Sequence, residues 1–235
     1  MTLNFQFYHY LAWCWPLKPI LQVALDLEEL VKAVDIATKI TSSLKCENIW
    51  LEVGTPLLKA WGKIAIRSIK ELTKCFTVVD TKTMDVPLVE ARVVKSAGGD
   101  AFTVLGTADD ETLIEASVAK KEHGILLIVD LISSRDPYKR ALETAKYEPD
   151  VLLFHVGISV QRARGVTAAE LVEEIVKVKN EISNVKIAVA GGLKPGLIKP
   201  IVERGVDVVV VGSAITSAED PVGVTRRILS EMGLM

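Results

Sequence analysis

Long apolar runs are missing from this 235-residue chain. None approaches the roughly 18 residues expected of a membrane-spanning helix, and stretches such as "DVVVVGSAI" are short enough to be buried strands. A surplus of one charge is missing too, since 28 Lys and Arg stand against 30 Asp and Glu. With no basic block to act as an electrostatic footprint, nucleic-acid binding is not expected, and neither is a membrane role. Cysteine is sparse and odd in number: Cys14, Cys46 and Cys75. Their wide spacing fits neither a disulfide framework nor a zinc knuckle, so a reducing cytoplasm is the expected compartment. The opening "MTLNFQFYHYLAWCWP" crowds in aromatics but lacks a basic start and a small-residue cleavage site, and does not read as a signal peptide. Residues 1–18 are expected to form an amino-terminal extension without catalytic work.

What the chain does have is a repeat. Short β-branched runs recur at "ILQVALD", "NIWLEVG", "CFTVVDTK", "DAFTVLG", "GILLIVDL", "VLLFHVG", "KIAVAGG" and "VDVVVVGS". Each is followed by a stretch with helical spacing, such as "LEELVKAVDIATKI" or "AAELVEEIVKVKNEI", apolar on one face and charged on the other. Turn signals "AGGD", "EHG", "EPD" and "ERGVD" stand directly before the fourth, fifth, sixth and eighth runs. Strands joined by crossover helices run parallel, and eight even units in a chain of this size predict a (β/α)8 barrel, one domain over residues 19–235.

In such a barrel the chemistry gathers at the C-terminal ends of the strands. Strand alternation predicts that Asp80 and Lys82 of "VVDTKTMD" share one face there. Asp26 closes the first strand, Glu52 sits near the end of the second, Asp130 ends the fifth and His155 ends the sixth. Several acids thus converge around one lysine, and like charges so close are costly unless a cation resolves them. Glu52 and Asp80, on neighbouring strands, suit Mg²⁺, which keeps waters and prefers hard oxygen ligands. Lys82 could stabilise an anion formed beside that metal, and His155 could move a proton. The alternative for the set is an ion-pair network without chemistry. Asp85, before a proline, equally suits a helix N-cap, and His155 a satisfied polar group. Glycines end the last two strands, at Gly191 and Gly192 and at Gly212 beside Ser213. Loops in those places hold phosphate in many barrels, although tight turns also favour glycine.

Taken in order over residues 20–216, "LQVALD", "WLEVGTPLLK", "VVDTKTMD", "FHVG", "AVAGG" and "VVVGSAIT" resemble the orotidine 5'-monophosphate decarboxylase superfamily, most of all its 3-hexulose-6-phosphate synthase branch. The nucleotide decarboxylases carry a lysine where this chain has Glu52. The keto-gulonate-phosphate decarboxylases carry "HRSRD" where it reads "HVGIS". The resemblance implies a Mg²⁺-dependent aldolase that interconverts D-arabino-3-hexulose 6-phosphate with D-ribulose 5-phosphate and formaldehyde through a metal-stabilised ene-diolate. It further implies that Glu52 and Asp80 bind the metal and that Lys82 stabilises the ene-diolate. His155 would handle protons or the hydroxymethyl group, Asp26 the substrate hydroxyls, and the glycines with Ser213 the phosphate. The position of Asp85 reaches the neighbouring subunit's site in this superfamily, which implies a homodimer. Two departures stand out: Ser159 where an aspartate is common, and Val86-Pro87 where the pattern has a flexible glycine. A keto-sugar-acid-phosphate decarboxylase, a non-catalytic sugar-phosphate-binding barrel and a phosphate-binding barrel of amino-acid biosynthesis are the competing readings.

Overall fold

The computed structural model describes residues 18–235. Eight parallel strands close into a barrel in chain order, with β8 bonded back to β1. The strands are β1 Ile20–Leu25, β2 Ile49–Val53, β3 Phe76–Thr83, β4 Ala101–Leu105, β5 Leu126–Asp130, β6 Val151–His155, β7 Lys186–Ala190 and β8 Val208–Val211. Helix α1 (Leu30–Ser43) follows β1, α2 (Thr55–Trp61) and α3 (Lys63–Thr73) follow β2, and α4 (Pro87–Ser96) follows β3. Then come α5 (Asp110–His123) after β4, α6 (Pro137–Ala145) after β5, and α7 (Ile158–Arg164) and α8 (Val172–Glu181) after β6. The circuit ends with α9 (Ile198–Glu203) after β7 and α10 (Ser213–Thr216) and α11 (Pro221–Glu231) after β8. This is the single-domain (β/α)8 barrel that the repeat predicts. The expected extension lies outside the described residues except for Lys18.

The strands read as continuous apolar runs because both of their faces are covered. Leu21, Val23, Leu51, Leu127, Leu152 and Val209 point outward and pack under the helices against residues such as Ile36, Ile40 and Ile66. Ile20, Trp50, Val78, Leu126, Val151 and Val208 point inward and fill the barrel. Its interior is apolar towards the strands' N-terminal end, where the rings of Trp50 and Phe76 stack with centroids 4.2 Å apart.

That same end is fastened by a repeated device. Asp100, Asp150 and Asp207 stand immediately before β4, β6 and β8, and their carboxylates accept the backbone N–H of Thr77, Leu127 and Ile187 at the start of the preceding strands, at 2.7, 2.9 and 2.9 Å. Each carboxylate also meets a lysine from the helix before that preceding strand: Lys70 at 2.5 Å, Lys120 at 2.9 Å and Lys179 at 2.9 Å. Three of the four turn signals, "AGGD", "EPD" and "ERGVD", therefore end in a residue that ties two staves together. Before β2 the equivalent place is held by Asn48, whose Nδ2 donates to the carbonyl of Pro19.

One expectation is corrected here. Cys46 and Cys75 form a disulfide, with their Cα atoms 5.4 Å apart. Cys46 lies in the short 3₁₀ turn before β2 and Cys75 directly before β3, so two thiols 29 positions apart in sequence become neighbours on adjacent staves. Spacing along the chain does not reveal that closeness; the parallel register does. Cysteine usage consequently gives no support to a reducing compartment. Among the described residues no helix is long and apolar enough to cross a membrane.

The aspartate ties predict a selective loss of stability. Asp207→Ala should destabilise the fold by about 1–3 kcal/mol, the cost of stranding a buried backbone donor. Asp85→Ala, at an exposed residue, should shift denaturant midpoints far less. Equal midpoints for the two variants in urea titrations would contradict the role given to Asp207.

Candidate active site

Towards the C-terminal end the barrel interior turns polar. Gln22, Glu52, Asp80, Thr103 and Asp130 are all buried there, on inward-pointing positions of the first five strands, and His155 on β6 is half-buried. Alternation along the strands accounts for all of these; Lys82 reaches the same face, but not through regular strand geometry. The pairing of β3 with β4 slips between Val79 and Thr83, and Lys82 adopts a left-handed backbone with φ 46°. Such a bulge re-aims a side chain. Asp80 and Lys82 thus meet at the mouth, as expected, but through a break in the regular strand geometry.

Lys82 Nζ lies 2.9 Å from Asp80 Oδ2 and 3.1 Å from Asp130 Oδ2. Burial alone would weaken the ammonium, but Asp130 and Asp80 outweigh it and hold Lys82 above the ordinary lysine range. Asp130 is fully buried, which pushes its carboxyl up; the hydrogen bond and charge of His155, the charge of Lys82 and the N–H of Ile132 together bring it below the usual range. His155 Nδ1 lies 3.1 Å from Asp130 Oδ2. An ionised partner requires the proton on Nδ1, which leaves Nε2 as the basic nitrogen. Asp80 is held from two further sides, by Thr55 Oγ1 on Oδ2 at 2.7 Å and Thr103 Oγ1 on Oδ1 at 2.9 Å.

Glu52 accepts Gln22 Nε2 at 2.7 Å. Burial, then the charges of Asp80 and Asp26, push its carboxyl well above the ordinary range. Asp26, just past β1, is open to solvent at the rim, yet the surrounding walls and Asp80 also raise its carboxyl. Its position depends on Gly54, where any Cβ would stand 2.2 Å from Asp26 Oδ1. The acids of the mouth therefore outnumber its cations, and the site suits a cation with hard-ligand preferences. Among the described residues no three His, Cys, Asp or Glu side chains enclose an ion by themselves. The donor set fits a divalent ion that keeps several waters or takes oxygens from a bound molecule.

Gly191 and Gly192 follow β7 with φ 120° and 70°, and a Cβ on Gly191 would stand 2.4 Å from the carbonyl of Val156. Gly212 and Ser213 open the short α10 beside Asp26. Asp85 stands outside the cluster, exposed, with Oδ1 accepting the N–H of Val86 at 2.8 Å. The N-cap expectation for Asp85 is corrected: the cap position of α4 is Val86, left-handed at φ 51°, with no side-chain cap. Ser159 is exposed in the first turn of α7.

Asp130 was visible in the sequence as a strand end without a role, while Gln22, Thr55 and Thr103 went unnoticed. Gln22 and Thr103 had a signal: each is a polar residue at an inward position of an otherwise apolar strand. Thr55 had none, since its partner Asp80 lies on another stave.

The sequence matches the Orotidine 5'-phosphate decarboxylase / HUMPS family over residues 19–228. It is 34% identical over 208 residues to 3-hexulose-6-phosphate synthase 2 of Staphylococcus saprophyticus, covering 88% of this chain and 94% of that protein. It is 33% identical over 219 residues to a bifunctional enzyme Fae/Hps of Archaeoglobus fulgidus, covering 91% of this chain; it spans about half, 53%, of that longer protein. The crystal structure of 3-hexulose-6-phosphate synthase from Salmonella typhimurium superposes with a TM-score of 0.83 at 35% identity, covering 91% of this chain and 98% of that one. A closed eight-stranded barrel, the order of the motif residues around its mouth and a match across 19–228 place this chain in the Orotidine 5'-phosphate decarboxylase / HUMPS family.

Proposed function

We propose that this protein is a divalent-metal-dependent aldolase of the 3-hexulose-6-phosphate synthase type, joining formaldehyde to D-ribulose 5-phosphate or splitting the resulting hexulose phosphate. The observation that carries the reading is Lys82, clamped between Asp80 and Asp130 at the barrel mouth with buried Glu52 alongside. The similarity to synthases of that name supports it.

Each residue has a task that follows from its surroundings. Lys82, kept charged by two carboxylates, places a fixed positive charge where negative charge develops on the sugar oxygens. His155, oriented through Nδ1, presents Nε2 to take the proton beside the ketone and to return it in the reverse direction. Asp26 at the rim is positioned to accept from sugar hydroxyls. The loops of Gly191, Gly192 and Gly212 with Ser213 would take the phosphate through backbone N–H groups. Glu52 and Asp80 would hold Mg²⁺, which when bound supplies charge to polarise the ketone. The carbanion carbon left by proton removal attacks formaldehyde, and the new alkoxide takes a proton.

A homodimer is part of the proposal. Met84 and Val86 before α4, Val89 and Val93 on α4, and Ile114 and Val118 on α5 are all exposed large apolar side chains. The two helices pack together, so these residues make a face suited to a second copy. Asp85 lies in that face's loop and would serve the partner's mouth.

Purified protein with Mg²⁺ should consume formaldehyde only when ribulose 5-phosphate is present. Lys82→Ala should slow this by at least about 10²–10³-fold while circular dichroism remains that of the barrel. Release of CO₂ from a keto-sugar-acid phosphate, with no formaldehyde uptake, would select decarboxylation; calorimetric binding without turnover of either would select a binding protein.

Glu52 yields a second test. Its folded carboxyl lies above its unfolded range, so ionising it penalises the fold as pH rises from acid to neutral. Glu52→Gln should therefore raise the metal-free melting temperature at neutral pH and abolish the stabilisation by added Mg²⁺. In the wild type that stabilisation should shrink as pH falls and Glu52 takes up a proton. A metal-induced shift that survives Glu52→Gln would remove this residue from the metal site.

The partner role of Asp85 is checked by mixing. Inactive Lys82→Ala and Asp85→Ala chains, unfolded and refolded together in equal amounts, should recover about a quarter of the wild-type rate, because one site in half of the dimers is intact. No recovery would assign Asp85 to its own chain's site.

A further inference from the structure

Lys82 sits in a backbone region that residues with a Cβ avoid, in the middle of a register slip between β3 and β4. Such a conformation persists only where the surroundings hold it. One side chain on the neighbouring strand grips the backbone directly. Thr103, on β4 and 2% exposed, receives the N–H of Lys82 on its Oγ1 at 2.8 Å. The same Oγ1 donates its proton to Asp80 Oδ1 at 2.9 Å. A hydroxyl has one proton and two lone pairs, so the two bonds are compatible only in this sense, and each fixes the rotation that the other needs. The carbonyl of Thr103 also accepts Thr81 Oγ1 at 2.6 Å, which straps the remaining bulge residue to β4.

We infer that Thr103 is a positioning residue, whose single hydroxyl sets both the left-handed backbone of Lys82 and the carboxylate orientation of Asp80, and thereby delivers the ammonium to the barrel mouth. Without that hydroxyl, Lys82 N–H and Asp80 Oδ1 each lose a buried partner, and the bulge is free to relax towards regular strand. The ammonium, carried on a four-carbon stem, would then move away from Asp130. A valine at 103 has nearly the same shape, so packing of β4 would persist while the hydroxyl is lost. The choice of reaction to measure rests on the aldolase reading above; the geometry of the strap does not.

The test compares Thr103→Val with Thr103→Ser in the full-length protein, using kinetics and amide hydrogen exchange at Lys82. Thr103→Val should lower kcat about 10- to 100-fold, the scale of a catalytic group displaced by about an ångström, with KM little changed. Thr103→Ser, which keeps the hydroxyl, should restore most of kcat. The Lys82 amide should exchange markedly faster in the valine variant than in the wild type or the serine variant, with the slow amides of β1 and β8 unaffected. Wild-type kcat in Thr103→Val would overturn the inference by showing the hydroxyl to be dispensable, and equal loss in both variants would overturn it by showing that retaining the hydroxyl does not preserve the site. If the wild type turns over neither sugar phosphate, the aldolase reading fails, and the amide exchange decides alone: faster exchange in Thr103→Val upholds the strap, and unchanged protection sinks it.

Discussion

The mouth of this barrel is organised by one ammonium set against a surplus of carboxylates. At an effective dielectric near 20, opposite charges about 4 Å apart gain about 4 kcal/mol, while desolvating each ion costs several. A single pair is therefore close to balance. Lys82 meets two carboxylates instead, Asp80 and Asp130, and Asp130 is further satisfied by His155 and the N–H of Ile132. That arrangement stabilises the cation and Asp130, and leaves Glu52 and Asp26 less compensated; among the described residues the side-chain hydrogen bond to Glu52 comes from an amide, Gln22.

The two ends of the barrel use the same residue types to different ends. At the N-terminal end each aspartate has a backbone N–H and a helix lysine, and Lys186 adds to the pair at Asp207, so the charges there are matched and the result is a fastening. At the C-terminal end the acids come from β1, β2, β3 and β5 and the matching lysine from a bulge in one of those strands. Between the two ends lies the apolar fill around Trp50 and Phe76. The fastening and the fill thus lie apart from the mouth, whose carboxylates outnumber its one lysine among the described residues.

The fold was legible in the sequence because eight strands with both faces buried leave short apolar runs, and because the turns before them are chemically marked. The acids were legible because a charge at a strand end interrupts such a run: Asp26, Glu52, Asp80 and Asp130 all stand where the alternation places them. Lys82 was legible for an incomplete reason. Regular alternation puts it on the face of Asp80, but the actual contact passes through a left-handed residue that no propensity favours. What stayed hidden depends on contacts between staves. Thr55 and Thr103 act on Asp80 from β2's loop and from β4, and Cys46 meets Cys75 across 29 positions. Of the two readings of Asp85, the cap falls: a proline two residues on favours a helix start, but the chain places Val86 at the cap position with φ above zero, and the aspartate accepts its neighbour's N–H.

Those two left-handed residues, Lys82 and Val86, bracket the loop that carries Asp85, and they are held differently. The strain at Lys82 is countered by a half-buried hydrogen bond from its N–H to Thr103 and by ion pairs to two carboxylates. Among the described residues, the strain at Val86 is countered by an exposed bond from its own N–H to Asp85 and by the helix that Pro87 begins. A β-branched residue in that region costs of the order of 1–3 kcal/mol when nothing compensates it. The loop's first residue, Thr83, bonds to Glu90 on α4, and Thr112 of α5 donates to the carbonyl of Met84, so the loop is tied to both helices beside the exposed apolar side chains of Met84, Val86 and Val89. The residues that fix the loop's path, Thr83 and Val86, thus stand on either side of Asp85, and the apolar side chains of Met84, Val86 and Val89 are exposed beside it.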